Sequence, residues 1–596
     1  MKMRLKNQYS YLFYLLLLPL LMMYACAEED LGSFTPKDPV LVFGSSDTFE
    51  VGKEAGDYKL FMEANLPWRV RTDVDWITID NEQGLESDTI KFSVAKNNAT
   101  VTRTGKLIAW IMKNEEHVIY ITQEAGDPLP DISNDYYVKV NGDPENDGLS
   151  WETATSLDNA LALAATKDKI HLAAGTYLPT VVVTGGNESD AGDLTFEITK
   201  NINLIGAYPE NPVAGDQPDP VANTTSLSGS MGSQNAYHVI TITAPMEEDL
   251  FVSFKNINIT GGKSAPNGTP NLNINGINYP RLNGGAGSIG RANVKFEDCR
   301  IHDNKADHHT PGFYIFSGAT VSFINSSLDK NTGTSASGAN GGAIWNDGST
   351  VYFINAAVSS NSNSGVGGGI YAFNAAVPSK TYMFNTTIDN NSGAHKTAYY
   401  GRENSIGLMI NCTVYGNSST NGTNSGAGIN LYANTTTARL DMISCTVTGN
   451  VSNGSGDVAA GIRVNDANCT LNIYNSIISG NIGNNQVGDI YAPAGIPYST
   501  AYSVISSDVY DEDGAKVPSK TFDFASMLTP FADNGGLGKT CLLTGTDNPA
   551  ETLGMNSSQL SLLGLNLEPI VGDEIITFDQ LGLAREGLQK MGASVK

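Results

Sequence analysis

Charge is scarce in this chain. Only 16% of its 596 residues are Asp, Glu, Lys or Arg, too few to clothe a set of long amphipathic helices. Basic charge is scarcer still: 36 Lys and Arg against 62 Asp and Glu leave a net charge of −26 and a pI near 4.6. A field of that sign repels phosphate backbones, so nucleic acid is not an expected partner. Acidic polysaccharides are disfavoured too, unless a local basic pocket overrides the field. Cysteine is nearly missing. Apart from Cys26, five remain (Cys299, Cys412, Cys445, Cys469 and Cys541), an odd number with no CxxC spacing, so disulfides are not the basis of the fold. What is abundant is glycine, 62 residues, within a 40% hydrophobic background, which suits short strands joined by tight turns. At this length the chain needs several domains or one elongated repeat architecture.

The first residues are an address. Lys2, Arg4 and Lys6 precede an apolar run over residues 11–24 broken only by Pro19, the pattern of a signal peptide and too short to span a bilayer comfortably. Met23-Tyr24-Ala25-Cys26 resembles a lipobox, with Cys26 the residue to be acylated. Ala27-Glu28-Glu29-Asp30 is similar to the acidic export signal of Bacteroidota surface lipoproteins. The expected organisation is a signal peptide over 1–25 and a lipidated tether over 26–39, placing the protein on the outer membrane, lipid-anchored and surface-exposed.

Alternating segments follow from Val40, among them Trp68-Arg69-Val70, Ile90-Lys91-Phe92-Ser93-Val94 and Val118-Ile119-Tyr120-Ile121, and predict a small β-sandwich over 40–126. Asn65-Leu66-Pro67-Trp68, Asp75-Trp76-Ile77, Arg103-Thr104-Gly105 and the closing Gln123-Glu124-Ala125-Gly126 resemble a BACON domain, a family whose name implies carbohydrate binding. Trp68 and Trp76 are its candidate sugar-stacking residues, although large apolar residues in strands more often form core.

After a linker over 127–135, residues 136–177 are similar to the N-terminal cap and first coil of pectate-lyase-like proteins, with the Ala/Leu segment around 160–164 as a capping helix. An internal repeat then sets the architecture. Phe296-Glu297-Asp298-Cys299-Arg300-Ile301-His302-Asp303-Asn304 aligns without gaps with 323–331 and 353–361, and later copies end at Asn391, Asn417, Asn450 and Asn481. Each step, about 30 residues, is enough for one three-stranded coil. The expected fold is all-β: the sandwich, then a large right-handed parallel β-helix with three strands per coil over 136–545 and a closing segment over 546–596. Alternation points Ile301, Leu328, Val358, Ile388, Val414, Val447 and Ile478 inward, with small residues, three of them Cys299, Cys412 and Cys445, two positions earlier. Asn325, Asn355, Asn385, Asn411 and Asn475 are expected to stack at a bend. Gly-Gly-Ala-Ile at 341–344 together with these segments resembles polymorphic outer-membrane-protein repeats, which occur in surface β-helices and adhesins.

The chemistry is thinner. Neither Gly-His-Gly nor an Asp-Asp pair occurs, so the polygalacturonase-type set is missing. Two polar loops stand out, 302–309 and 395–403, three coils apart, or roughly 14 Å at the strand spacing. They supply the catalytic candidates His302, Lys305, His308, Lys396, Tyr400 and Arg402, the residue types that a polysaccharide lyase uses as base and charge neutraliser. Trp345, Tyr371 and Tyr399 are carbohydrate-binding candidates if they line a groove. No complete metal set is visible; Asp143, Glu145 and Asp147 offer calcium ligands, although such residues more often serve as cap-turn residues. The expected partners are extracellular polysaccharides or glycoprotein glycans. The expected function is a glycan-binding or adhesive surface lipoprotein, with a polysaccharide lyase or hydrolase as the alternative and a structural surface protein as the second.

Overall fold

The structure, a computed structural model, describes residues 38–595 apart from 45, 100, 112–115, 127–133, 246–248, 335–339, 421–425, 454–458, 494, 495, 497, 518–521, 546, 562, 564–572 and 586–588. The leader, Cys26 with nearly all of its tether, and most of the linker over 127–135 therefore lie outside the described residues. The chain forms two compact units, Met1–Asp127 and Pro128–Lys596.

The first unit pairs a four-stranded with a five-stranded sheet. Alternation in Gly56–Ala64, Asp88–Val94 and Glu116–Gln123 sends Met62, Ile90, Phe92, Ile119 and Ile121 into one core with Trp68 and Trp76. Both tryptophans are packed as core residues. Trp68 donates from Nε1 to the Glu86 carbonyl at 2.8 Å, and its ring lies so close to Gly84 that a Cβ there would sit 2.5 Å away. Trp76 is covered by the Arg103 guanidinium, 4.3 Å from the ring centre.

The second unit is a parallel β-helix. Its three main ladders have 12, 13 and 10 strands, and a fourth of 9 strands adds a short side to each coil. One coil runs from Phe313–Phe316 through Thr320–Ile324 and Ser327–Asp329 to Thr332–Gly333, and pairing with the coils before and after is in register and parallel. The fourth side escaped the periodic reading because its strands are mostly two residues long, too short to alternate. The helix Leu157–Leu163, N-capped by Ser156, packs Leu157 and Ala160 onto the first coils.

The inward positions are buried as the alternation requires: Ile301, Leu328, Val358, Ile388, Val414, Val447 and Ile478 are fully enclosed, and Cys412 and Cys445 are buried with them. All five described cysteines are free thiols.

Two asparagine ladders tie the coils. The bend ladder sits at left-handed positions, with φ near 50° at Asn325, Asn355, Asn385, Asn411 and Asn475, where asparagine is among the few tolerated side chains. Asn355 donates to Asn325 Oδ1 at 3.3 Å and Asn385 to Asn355 Oδ1 at 3.0 Å. The second ladder, Asn304, Asn331, Asn361, Asn391, Asn417, Asn450 and Asn481, is buried. From Asn331 on, each amide oxygen accepts from the backbone N–H and the amide of the preceding rung, as Asn391 does from Asn361 at 3.0 Å each, while Asn304 accepts the Gly262 N–H. This one-way ladder ends at Asp489, whose Oδ1 accepts the backbone N–H and one amide N–H of Asn481.

Candidate functional site

Strand register builds a row of side chains on the outer face of the 10-stranded ladder. In Phe313–Phe316, Ile344–Asp347, Ile370–Ala372 and Tyr399–Gly401 the first residue enters the coil interior, so the second, Tyr314, Trp345, Tyr371 and Tyr400, faces outward. These four are register partners on successive coils. Tyr314 and Trp345 lie 5.1 Å apart, Trp345 and Tyr371 5.6 Å, and Tyr371 and Tyr400 5.2 Å with nearly parallel rings. Next in register come Asn430 and Arg463, then Tyr491.

A cationic cluster closes one end of this row. Lys396 Nζ donates to Tyr400 Oη at 3.0 Å and lies 4.4 Å from the Tyr400 ring centre and 5.5 Å from that of Tyr432. The Arg402 guanidinium sits 4.5 Å from Phe373 and donates to Tyr371 Oη at 3.4 Å. Arg463 lies over Tyr491 at 4.3 Å. Burial, then the charges of Arg402 and Arg463, push the Lys396 ammonium down to about 8, against a weaker pull from Asp466. The nearest carboxylate in sequence is already committed: Glu403 accepts from the backbone N–H groups of Asn434, Thr435 and Thr436 and from two threonine hydroxyls. Among the described residues neither Lys396 nor Arg402 has a carboxylate within ion-pair distance. Several polar atoms along the face are likewise covered without a partner: His308 Nδ1, Trp345 Nε1, Arg402 Nε and Asn430 Oδ1. The arrangement can hold an anion against an aromatic wall, and Lys396 can exchange a proton near neutral pH.

At the other end His309 stacks edge-on to Trp345 at 5.3 Å and to His308 at 3.9 Å. Burial, then His308, lowers His309 to about 4, so its ring is neutral at ordinary pH. Burial pushes the Asp347 carboxyl up, against hydrogen bonds from Tyr314 and Asn374.

The two candidate loops are thus joined through rings, not side by side. His308, Lys396, Tyr400, Arg402, Trp345 and Tyr371 belong to one row. His302 and Lys305 do not: His302 leaves on the strand Arg300–His302 and is held by Asp303 at 2.6 Å, while Lys305 is exposed in the short fourth ladder opposite Lys263 and Thr332. Tyr399 points into the coil core and is fully buried, so it cannot meet a ligand. Trp68 and Trp76, 1% and 4% exposed, cannot stack on a sugar either. Phe373, Tyr432, Asn430 and Arg463 were missed by sequence reasoning; Asn430 and Arg463 continue the register of Tyr371 and Tyr400, and Phe373 and Tyr432 directly follow the strands Ile370–Ala372 and Ile429–Leu431, relations that insertions between strands hide. In the cap, Asp143 and Asp147 accept backbone N–H groups of Glu145 and Leu149, the work of turn residues, and among the described residues no three His, Cys, Asp or Glu side chains converge as a metal site.

The BACON family, "Putative binding domain, N-terminal", matches residues 66–124. Residues 66–124 are a BACON domain. Its signature residues are structural here: Arg103 reaches Gln123 Oε1 at 2.7 Å, and Gln123 ties the carbonyls of Gly52, Lys53 and Ala95. No curated protein matches the chain. Solved structures similar to it include the pectate lyase Pel9A (15% identity, 70% of this chain and 93% of that chain, TM-score 0.37) and a rhamnogalacturonan lyase (14% identity, 62% and 87%, TM-score 0.36).

Proposed function

We propose that this is a surface-anchored glycan-binding protein whose β-helix holds an anionic polysaccharide along the outer face of the 10-stranded ladder. The observation that carries the reading is the cation cluster of Lys396, Arg402 and Arg463 set against Phe373, Tyr400 and Tyr432, in a protein of net charge −26. Holding three cations together in part-buried surroundings costs folding free energy, which a bound carboxylate or sulfate would repay by ion pairing. The half-exposed rings of Trp345, Phe373 and Tyr432 give pyranose faces a place to lie. The BACON domain supports the same reading as a binding module, and the lipobox-like leader supports outer-membrane anchoring.

The test is retention of the chain from Leu31 on immobilised polygalacturonate, alginate, a sulfated glycan and a neutral glucan. Retention on an acidic glycan, lost at high salt and weakened about 30-fold, or about 2 kcal/mol, in a Lys396→Ala/Arg402→Ala variant, is the expected result. Equal retention on the neutral glucan, or none on any acidic glycan, overturns it. A second reading, a polysaccharide lyase, is favoured by one observation: an amine held near 8 beside an arginine is poised to take a proton while the arginine neutralises a uronate. Unsaturated products released from polygalacturonate or alginate would decide for it.

A further inference from the structure

At another corner of the coil, away from the cationic row, lies a cleft of about 810 Å³ lined by Asn325, Asn355, Asn385, Ile354, Leu537 and Phe578, among others, within the roughly 300–1,000 Å³ range of small-molecule sites. Its floor is the open end of the bend ladder. Its walls are two tight hairpins, closed by the bridges Ala532 with Thr540 and Phe578 with Ala584. Both are pinned to the coils: Phe531 stacks on Tyr415 at 4.0 Å, Thr387 donates to the Lys539 carbonyl at 2.9 Å, and Gln580 bridges Thr387 and Thr413.

The covered rungs of the same ladder show what it binds. Asn411 donates to the carbonyls of Ile575 and Phe578 at 2.7 and 2.8 Å, and Asn475 accepts the Met555 N–H at 2.8 Å and donates to the Lys590 carbonyl at 3.1 Å. Each rung thus engages secondary-amide groups of the protein's own C-terminal segment. Asn325 and Asn355, in the cleft, have exposed side chains; among the described residues the Asn325 amide nitrogen has no acceptor, and those of Asn355 and Asn385 each spend one of two donors on the neighbouring rung.

From this we infer that the cleft is a second site, for a neutral sugar bearing an acetamido group. The open amides take the N–H and C=O of the acetamide, and Ile354, Leu537 and Phe578 surround its methyl. Among the described residues no charged side chain lines the cleft, so those walls offer an anionic or cationic ligand no ion pair. A peptide adding as a strand is disfavoured, since that mode needs free backbone groups on a sheet edge. Here the N–H groups of Asn325, Asn355 and Asn385 already bond the next coil.

Titration of the full chain with N,N′-diacetylchitobiose, followed by calorimetry and by saturation transfer to the acetyl methyls, tests the site. Cellobiose, which lacks the acetamide, and an N-acetyl dipeptide amide serve as comparators. The expected result is binding of diacetylchitobiose at least about tenfold tighter than of either comparator. Asn355→Gly, which keeps the positive φ while deleting the amide, and Leu537→Asp at the rim should each weaken it by about tenfold or more. Absence of binding, equal binding of cellobiose, tighter binding of the dipeptide, or unchanged affinity in both folded variants overturns the inference. Lys396→Ala/Arg402→Ala, which disables the proposed anionic site, should leave this binding unchanged, so the two sites fail separately.

Discussion

Asn391 is wholly buried, and its amide oxygen takes two hydrogen bonds while its nitrogen serves the Val358 carbonyl at 2.8 Å and Asn417 Oδ1 at 2.9 Å. Asn325, one coil corner away, stands in solvent and accepts one bond. The same residue type therefore carries different energies. Asn391→Ala orphans buried donors and acceptors on both adjacent coils and should cost about 3 kcal/mol, whereas Asn325→Ala, strained only by its positive φ, should cost about 1 kcal/mol; urea unfolding of the two variants checks the ordering. Lys396 is the opposite case, a residue that weakens the fold where it stands. Its ammonium is held at about 8 against 10.5 for a free lysine. Between those values the unfolded chain keeps a proton that the folded one has shed, so this group makes stability rise with pH from about 8 to 10.5, and its cost is fully present below 8. Lys396→Met should stabilise the protein below pH 8 by up to roughly 3 kcal/mol, with the gain shrinking toward pH 10.5, while anionic glycan retention is weakened. Destabilisation across that range would make Lys396 a structural residue instead.

At the scale of elements, the C-terminal segment does not close the coil as an extra turn but lies along its side, covering the outer apolar stripe of Phe384, Ile410 and Ile443 with Met555, Leu560 and Ile576. Arg585 fastens it. Its guanidinium, 1% exposed, donates to Asn411 Oδ1 and to the carbonyls of Phe578, Lys590, Gly592 and Ala593. Asp579 alongside accepts the N–H groups of Leu581, Leu583 and Val595. Arg585→Ala leaves those carbonyls buried and unpaired and should cost roughly 3 kcal/mol or more, and protease should then cut near the C-terminus while the coils stay protected. This lateral docking could not be read in the sequence, because it rests on contacts between residues 80 to 193 positions apart with no periodicity. The coils could be read, because one inward branched residue recurs in every repeat and a bend asparagine in most, with Asp298 and Ser444 in its place in the others. The aromatic row falls between these cases. Tyr371 and Tyr400 were visible as residues, but only register shows that they share a face with Trp345 and that Tyr399, one position away, does not.

For the molecule as a whole, each coil contacts mainly its two neighbours, so stability is nearly a sum of coil interfaces and a complete coil can be removed at the cost of one. The spacing of the buried asparagines gives the cutting points: 27 residues from Asn304 to Asn331 and 33 from Asn417 to Asn450. Excision of residues 305–331 joins equivalent ladder rungs at the margin of the docked segment: it removes Ile324 and Asn325 but none of the hydrogen bonds that tie Asn411 and Asn475 to that segment. The shortened chain should fold, melt cooperatively and keep anionic glycan retention, since Lys396 and Arg402 flank the one strand Tyr399–Gly401 and Arg463 stands two coils further on, all beyond the excised coil. Excision of residues 418–450 is equally in register for the coils, yet it removes Thr446, which accepts the Ala593 N–H at 3.0 Å. It also moves Asn475 one coil rise, about 4.8 Å, closer to Asn411, so Arg585 and Lys590 can no longer serve both rungs. That variant should expose the outer apolar stripe, bind a hydrophobic dye and aggregate. If both excisions behave alike, the side-docked segment contributes nothing to the integrity of the coil, and the fold is held by its ladders alone.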